Sequence, residues 1–228
     1  MRHLRFPSIR QWTSFGLLLI AVILLGTNFQ AGAQEGPKQT FQIMPLNPTM
    51  GSIDPATGAV RLNRTRNELR ASVHVTDLNA SSAFTLWVVI FNNPEACTTN
   101  PAGPVRCGMP DLVAVPNPAR ASAFNVGAFV TGAVNGTANV SIQIRSGAPP
   151  EGAFVLFGQG GLNDNGVRPG LHEGNGFGAE VHLVIRAHGT IIPGSITAQL
   201  SLLNGGCPPN IGPTCANVDS ATFPSVQD

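Results

Sequence analysis

The sequence contains no tyrosine and a single lysine, Lys38, and charged residues make up only 11% of its 228 positions. Typical soluble domains carry about 25% charged residues. Lysine and arginine together number 13 against 12 acidic residues, which gives a formal net charge of +1. Proteins that bind nucleic acids or anionic membranes need a concentrated basic surface. The composition therefore argues against a nucleic-acid partner.

Catalytic signatures are also missing. The chain has no G-x-S-x-G nucleophile elbow, no H-E-x-x-H zinc motif and no phosphate-binding P-loop. His172-Glu173 begins like the zinc motif, but Gly-Asn-Gly follows it and no second histidine closes the pattern. The sequence thus gives no positive indication of an enzyme, and it indicates no cofactor apart from the metal considered below.

The N-terminal segment has the features of a secretory leader. Three arginines in the first ten residues precede the apolar run FGLLLIAVILLG, and Ala-Gly-Ala at 31–33 supplies an A-x-A cleavage site. The run is shorter than the roughly 20 residues that a membrane-spanning helix needs. We predict a signal peptide at 1–33, a single domain at 34–228 without a membrane span, and a secreted or periplasmic location.

Apolar and polar residues alternate along most of the chain, and no long stretch keeps the 3.6-residue period of a helix. Residues 69–76 predict a strand with one solvent-facing side, and residues 84–91, apolar on both sides, predict a buried central strand that carries Trp87. Shorter strands are predicted at 41–44, 59–62 and 153–157. The pattern predicts an all-β, antiparallel β-sandwich of about eight or nine strands, with a β-barrel as the alternative.

Two hairpins are predicted within this pattern. In the first, a three-residue loop at 134–136 pairs Val130 with Val140 and places Gly136 at a left-handed bulge position. In the second, strands at 180–188 and 196–203 flank a turn that contains Pro193-Gly194.

Four cysteines, Cys97, Cys107, Cys207 and Cys215, lie after the predicted leader, where disulfides can form. Three pairings are possible in principle. We favour the local pairs Cys97–Cys107 and Cys207–Cys215, because each brackets a short segment rich in proline and glycine. No C-x-x-C occurs, so a structural zinc site built on these cysteines is the weaker interpretation.

One connection is too long for a simple turn. The glycine-rich segment 158–178 has eight glycines in 21 residues. Loops longer than about 15 residues are usually functional or disordered. The sequence leaves both interpretations, a disordered loop and a binding loop.

The segment AEVHLVIRAHG concentrates the ionisable residues. On a strand, Glu180, His182, Arg186 and His188 share one face. Their plain interpretation is a solvent-facing polar surface on which Arg186 reaches a nearby carboxylate.

The alternative interpretation of this face is a zinc or copper site. Glu180 and His182 would lie roughly 7 Å apart and share an ion, with a third ligand such as His74 or His172 from elsewhere in the fold. His188 lies roughly 20 Å from His182 along a regular strand, so it joins the same ion only if the strand bends back at Gly189.

Three blocks of sequence, LWVVIFNNPEAC with CGMPDL, AEVHLVIRAHGTIIPG, and LLNGGCPP with TCANV, together span 86–218. They resemble a group of secreted bacterial β-rich proteins to which no function is assigned. The resemblance implies an exported, disulfide-bearing domain in which the triplets at 180–182 and 186–188 belong to the pattern. The strand rhythm of VHVTDLNASSAFTLWVV is more loosely similar to chordin-type and copper-zinc superoxide dismutase-like sandwiches. The clustered metal histidines of that dismutase are missing, so its activity is not implied.

Taken together, these features predict an exported, non-catalytic binding or structural module whose partner belongs to the cell envelope or the extracellular space. A metal-binding protein or metal-dependent enzyme built on Glu180 and His182 is the competing hypothesis.

Overall fold

The computed structural model of the protein describes residues 40–48, 57–134, 136–207 and 215–226, which belong to one compact unit, Gly36–Asp228. The predicted signal peptide at 1–33 lies outside the described residues, as does Asn135 of the first predicted hairpin loop. Within these ranges the strands are β1 (Thr40–Pro45), β2 (Asn47–Pro48), β3 (Thr57–Thr65), β4 (Glu68–Thr76), β5 (Ser82–Phe91), β6 (Ala121–Val130), β7 (Ala138–Arg145), β8 (Val155–Phe157), β9 (Glu180–Thr190) and β10 (Asn217–Phe223).

Two short α-helices, α1 (Met109–Val113) and α2 (Ile196–Ser201), accompany the strands. No helix in the described ranges is long and apolar enough to cross a membrane.

The strands form two antiparallel sheets. One has four strands in the order β1-β3-β4-β7, and the other has six in the order β2-β10-β9-β5-β6-β8. Buried side chains from both sheets, such as Val73 and Ile144 from the first and Leu86 and Leu183 from the second, form one apolar core. The predicted antiparallel β-sandwich is therefore confirmed, and the described strands do not close into the alternative barrel.

The four-stranded sheet follows the sequence pattern closely. Along β4, Leu69, Ala71, Val73 and Val75 are buried while Arg70, Ser72 and His74 are exposed. Alternating burial of this kind is what a sheet with one wet side produces. We call the outer side of this sheet, which carries His74 and Arg70, the open face.

The buried central strand is also confirmed. β5 pairs with β6 on one side and with β9 on the other, and nine of its ten residues are buried. A strand buried on both sides must be apolar on both sides, which is why its sequence does not alternate.

The first predicted hairpin is wrong. β6 pairs with β5 and β8 in the six-stranded sheet, whereas β7 pairs with β4 in the four-stranded sheet. The connection leaves β6 at Thr131, whose hydroxyl donates to the Asn79 carbonyl and whose amide donates to the Ser82 carbonyl. The alternation of apolar and polar residues shows which side chains of a strand face the core. Because strands of both sheets face that core, the alternation does not show which strand is the neighbour.

The second predicted hairpin is wrong as well, because residues 196–201 form α2. Gln199 of this helix is fully buried. Its side-chain amide donates to the carbonyls of His188 and Thr190 and accepts from the amide of Ile192. The helix therefore satisfies backbone groups at the end of β9 that a second strand would otherwise have paired.

The glycine-rich segment at 158–178 is packed against the sandwich, so the disordered interpretation is wrong. Leu171 and Phe177 are buried, and Asn165 donates to the carbonyls of Leu112 and Ala121. A buried guanidinium, that of Arg64, holds the end of the segment.

Arg64 is fully buried, and it donates to the carbonyls of Gly176 and Ala179 and to those of Phe223 and Pro224. Burial lowers its pKa to about 10, and the charge of Glu180 opposes that shift. Since a buried cation needs all its donors satisfied, these carbonyls fix two chain segments to β3.

Both local disulfides are confirmed. The Cα atoms of Cys97 and Cys107 are 5.1 Å apart and those of Cys207 and Cys215 are 5.8 Å apart, within the usual range for a disulfide. We call the chain closed by the first pair, residues 97–107, the first disulfide loop. Both disulfides lie over the outer side of the six-stranded sheet, which we call the covered face.

Candidate functional site

A cavity of about 320 Å³ lies on the covered face. Its floor is the outer side of β5, β6 and β9, one wall is the segment that follows the first disulfide loop, and another wall is the chain between α2 and β10. Ligand pockets usually measure about 300–1,000 Å³, so this cavity suits a small ligand. The lining side chains are mostly apolar: Trp87, Val89, Phe91, Met109, Leu112, Ala123, Leu156, Phe157, Val184 and Leu203, with His182, Arg186 and Asn217 as the polar ones.

Trp87 is the largest side chain of the floor. Its indole N–H donates to the Thr85 hydroxyl at 2.8 Å, and its ring meets that of Phe154 edge-on, with centroids 6.0 Å apart. Trp87 is buried, as the sequence predicted, but it packs on the outer side of the sheet and not in the central core. The indole therefore lines the cavity in a fixed orientation.

Glu180 fixes the first wall. Its carboxylate is fully buried and accepts hydrogen bonds from the backbone amides of Arg106 at 2.8 Å and Cys107 at 2.9 Å. It also accepts from Nε2 of His182 at 2.7 Å. The prediction that Glu180 faces solvent is wrong, because the first disulfide loop crosses the end of β9 and buries it.

Asp111 of α1 organises the same wall from the other side. Its carboxylate accepts from the amides of Thr98 and Gly108 and from the hydroxyls of Thr98 and Thr99. Burial alone would raise the pKa of Asp111, but these hydrogen bonds outweigh it and hold the pKa below its ordinary value. Glu180 and Asp111 together attach the first disulfide loop to β9 and to α1.

Arg186 fixes the second wall. Its guanidinium donates to the carbonyl of Leu203 at 2.7 Å and to the side-chain amide oxygens of Asn204 and Asn217 at 2.8 and 3.0 Å. The predicted partner of Arg186 was a carboxylate; the structure instead gives it three neutral acceptors. Burial lowers the pKa of Arg186 from its ordinary value.

His188 lies behind this wall and is 1% exposed. Its Nδ1 donates to the carbonyl of Gly205 at 3.0 Å, which leaves Nε2 to accept from the Thr85 hydroxyl at 2.8 Å. A chain of hydrogen bonds therefore runs from Trp87 through Thr85 and His188 to Gly205. Burial lowers the pKa of His188, the bond to Gly205 opposes that shift and the charge of Arg186 adds to it. The prediction of a solvent-facing His188 is wrong.

His182 is the imidazole that lines the cavity, with 14% of its side chain exposed. Because the Glu180 carboxylate can only accept, Nε2 of His182 carries the proton of their shared hydrogen bond. The ring also packs against Phe91, with centroids 5.1 Å apart. This pair gives the cavity a fixed polar group with a carboxylate behind it.

The two remaining candidate ligands lie elsewhere. His74 is on the open face, where its Nδ1 bonds Asn139 at 2.8 Å. His172 lies in the glycine-rich segment beside Arg168. Burial, together with the charges of Arg120 and Arg168, lowers the pKa of His172, and the hydrogen bond that its ring donates to the backbone of Arg168 opposes that shift. The described residues therefore do not gather His74 or His172 around Glu180 and His182.

Among the described residues, one group of three potential metal ligands has its ligand atoms within 4.8 Å of one another: His188, Cys207 and Cys215. The two sulfurs belong to the second disulfide. Since the thiolate is the form of cysteine that binds metal, the oxidised pair does not offer these ligands.

The apolar walls of the cavity are the part of the site that the sequence did not predict. Leu203 ends the segment 196–203 that the pattern predicted as a strand, and Leu112 lies in a segment to which the pattern assigned no strand. The sequence feature that could have predicted these walls is the position of Leu112 and Leu203 close to the two cysteine pairs. Apolar side chains next to a disulfide-closed loop are expected to pack against the neighbouring sheet. Comparison of the chain with protein-family models, with curated proteins and with solved structures found no match to any of them.

Proposed function

We propose that the protein is an exported, non-catalytic binding module that takes up a small, largely apolar molecule in the cavity of the covered face. The observation that carries this proposal is an apolar cavity of about 320 Å³ whose two walls are held by buried or partly buried charged side chains, Glu180 and Arg186. Preformed apolar pockets with a few fixed polar groups are typical of small-molecule binding sites.

The argument for a binding function rests on how the walls are built. A sandwich that needed only stability could cover this sheet with apolar side chains that fill the space. Here the segment that follows the first disulfide loop and the chain between α2 and β10 stand over the sheet and leave a space between them. Glu180 and Arg186 hold these two walls in place. Walls fixed before binding reduce the ordering cost of binding a ligand.

Export is part of the same proposal. The features that support it are the leader-like segment at 1–33 and the two disulfides, since disulfides persist in oxidising compartments.

The experiment is a titration with N-phenyl-1-naphthylamine, an uncharged apolar dye whose emission rises in an apolar site. The chain is exported into an oxidising periplasm, purified without a histidine tag, and compared with Val184→Phe, which places a ring in the cavity. We expect saturable dye binding that Val184→Phe weakens at least about tenfold, because the added ring occupies the ligand's volume.

The matched control is Ser141→Phe, which adds the same ring to the exposed side of β7. Its dye binding should equal that of the unchanged chain. The proposal would be contradicted if Val184→Phe bound the dye as tightly as Ser141→Phe does. It would also be contradicted if the unchanged chain did not bind the dye.

The metal hypothesis is tested on the same preparations by metal analysis of the unchanged chain and of His182→Ala. Near-stoichiometric zinc or copper that His182→Ala loses would favour a metal centre at Glu180 and His182 over the binding module proposed here.

A further inference from the structure

The two polar side chains that β9 contributes to the cavity, His182 and Arg186, lie at opposite ends of its floor, and their positions restrict the class of ligand. His182, Val184 and Arg186 succeed one another on the side of β9 that forms the floor. Alternate residues of a strand are roughly 7 Å apart, so His182 and Arg186 stand roughly 13 Å apart at opposite ends of the cavity floor. Val184 separates them, and it pairs with Trp87 of β5.

The two ends differ in charge. At the His182 end, the carboxylate of Glu180 lies 2.7 Å from Nε2 and its charge also interacts with that of the buried Arg64. An anionic ligand group placed there would approach a carboxylate already paired with a cation. At the Arg186 end, the three acceptors that hold the guanidinium are the Leu203 carbonyl and two side-chain amides. All three are neutral, so these contacts leave the positive charge of Arg186 uncompensated.

The hydrogen-bonding capacity of Arg186 is also incomplete in these contacts. A guanidinium has five N–H donors, and the three bonds use one from each nitrogen, which leaves one on each terminal nitrogen. A planar guanidinium with a donor left on each terminal nitrogen can donate to the two oxygens of a carboxylate.

From this arrangement, and resting on the binding function proposed above, we infer that the ligand is an amphiphilic carboxylate. Its anionic group meets Arg186 and its aliphatic or aromatic body lies over Val184 and Trp87 toward His182. The site distinguishes a carboxylate from an alcohol of the same body by the charge of Arg186. The same charge sets the orientation, because the contacts of Arg186 are all neutral whereas Glu180 at the other end interacts with Arg64.

The composition supplies the reporter for the test. The chain has no tyrosine and two tryptophans, Trp12 and Trp87. Trp12 lies in the predicted signal peptide, so all tryptophan emission of the cleaved, exported chain comes from Trp87 in the cavity floor. This chain is titrated at pH 8 with decanoate, decanol and decyltrimethylammonium, three probes that share one alkyl body and differ in head-group charge.

We expect decanoate to bind at least about tenfold tighter than decanol, and decyltrimethylammonium to bind more weakly than either, since a charge-assisted contact in an apolar site is worth at least that factor. Added salt should narrow the difference between decanoate and decanol, because the guanidinium is partly exposed.

Arg186→Gln should bring the ratio of the decanoate affinity to the decanol affinity to about one. The ratio is the readout because Arg186 also holds the second wall, so its loss weakens both probes by a shared factor. Arg186→Lys keeps the charge without the paired donors and should restore part of the advantage. The matched control Arg70→Gln removes an exposed arginine from the open face and should change neither affinity.

The outcomes separate this inference from the proposed function. If decanoate and decanol bind equally, or if Arg186→Gln weakens both equally, the carboxylate class is wrong while binding in the cavity stands. If none of the three probes alters Trp87 emission and N-phenyl-1-naphthylamine also fails to bind, the binding function itself is wrong. Preference for decyltrimethylammonium would overturn the inference by assigning a cationic ligand to the site.

Discussion

The two outer faces of the sandwich start from the same sequence pattern and end in different environments. On the open face, β4 alternates buried apolar residues with exposed polar ones, among them Arg70 and His74. On the covered face, β9 shows a comparable alternation, yet Glu180 is fully buried and His188 is 1% exposed. The same two-residue period thus describes a wet surface in one sheet and the floor of a cavity in the other.

The two faces differ in the source of the hydrogen-bond partners of their polar side chains. On the open face water is available, and contacts such as that between His74 and Asn139 are optional. On the covered face each buried polar group must be satisfied by the chain that covers it. Glu180, Arg186 and His188 accordingly bond to backbone groups of segments that are distant along the chain.

Removing one carboxylate from each face tests whether polar contacts stabilise the covered face more than the open face. Glu180→Ala takes away the acceptor of two buried amides and of His182, and we expect it to lower the free energy of unfolding by about 3 kcal/mol. Glu68→Ala, on β4 beside Arg70, should cost less than about 1 kcal/mol. Urea unfolding followed by Trp87 emission measures both. Equal losses would show that the covered face is not held by its polar contacts.

Opening the first disulfide loop tests the cover itself. The double change Cys97→Ser and Cys107→Ser should lower the free energy of unfolding by roughly 2.5 to 3 kcal/mol, because the unfolded chain regains the freedom of a ten-residue separation. Calorimetry on the oxidised protein and on the variant measures the loss. Unchanged stability would mean that Glu180 and Asp111 alone hold the loop.

The pH dependence of stability distinguishes the faces through their histidines. Burial lowers the pKa of His188 below the ordinary value of 6.5, so the unfolded chain takes up a proton more readily than the folded one. Stability should therefore be fully present above about pH 6.5 and should fall as the pH drops below that value. Urea midpoints between pH 8 and 5 measure the slope.

His188→Gln tests whether His188 causes this slope, and we expect the variant to lose less stability between pH 8 and 5 than the unchanged chain. Burial also lowers the pKa of His172, so a smaller slope of the same sign should remain. His74→Gln on the open face is the matched change, and we expect the slope to remain. A slope that His188→Gln leaves intact would assign the pH dependence to other groups.

The smallest effect is expected on the open face. Arg70→Ala removes an exposed partner of Glu68 and should change the free energy of unfolding by no more than about 0.5 kcal/mol. A loss above 1 kcal/mol, measured by urea unfolding, would show that the open face also depends on its polar contacts.

Much of the fold was predictable from short-range pattern. The alternation of β4 and the uninterrupted apolar run of β5 identified both strands and their environments, because the side chains of a strand point to alternate sides. The two local disulfides, favoured among three possible pairings because each closes a short segment rich in proline and glycine, are confirmed. The wrong predictions concern contacts between distant parts of the chain. β6 and β7 were predicted to form a hairpin because they are neighbours in sequence, but they lie in different sheets.

The same limit applied to the site. Glu180, His182, Arg186 and His188 were correctly placed on one side of a strand, and these residues do build the site. Their environment was wrong, because the groups that bury Glu180 belong to Arg106 and Cys107, more than 70 residues earlier in the chain. The helix α2 was missed for a related reason, since Gln199 is buried only because it bonds the end of β9.

Local pattern was enough to predict that the chain forms strands, which side of β4 meets water, which residues of β9 share a face, and that local cysteine pairs are favoured. Each of these depends on residues a few positions apart, where the period of a strand or the reach of a short loop decides the outcome. That segments distant along the chain cover one outer face and leave a cavity there follows from the tertiary structure alone. That outcome depends on hydrogen bonds between segments that meet only in the folded chain, and no local period encodes them.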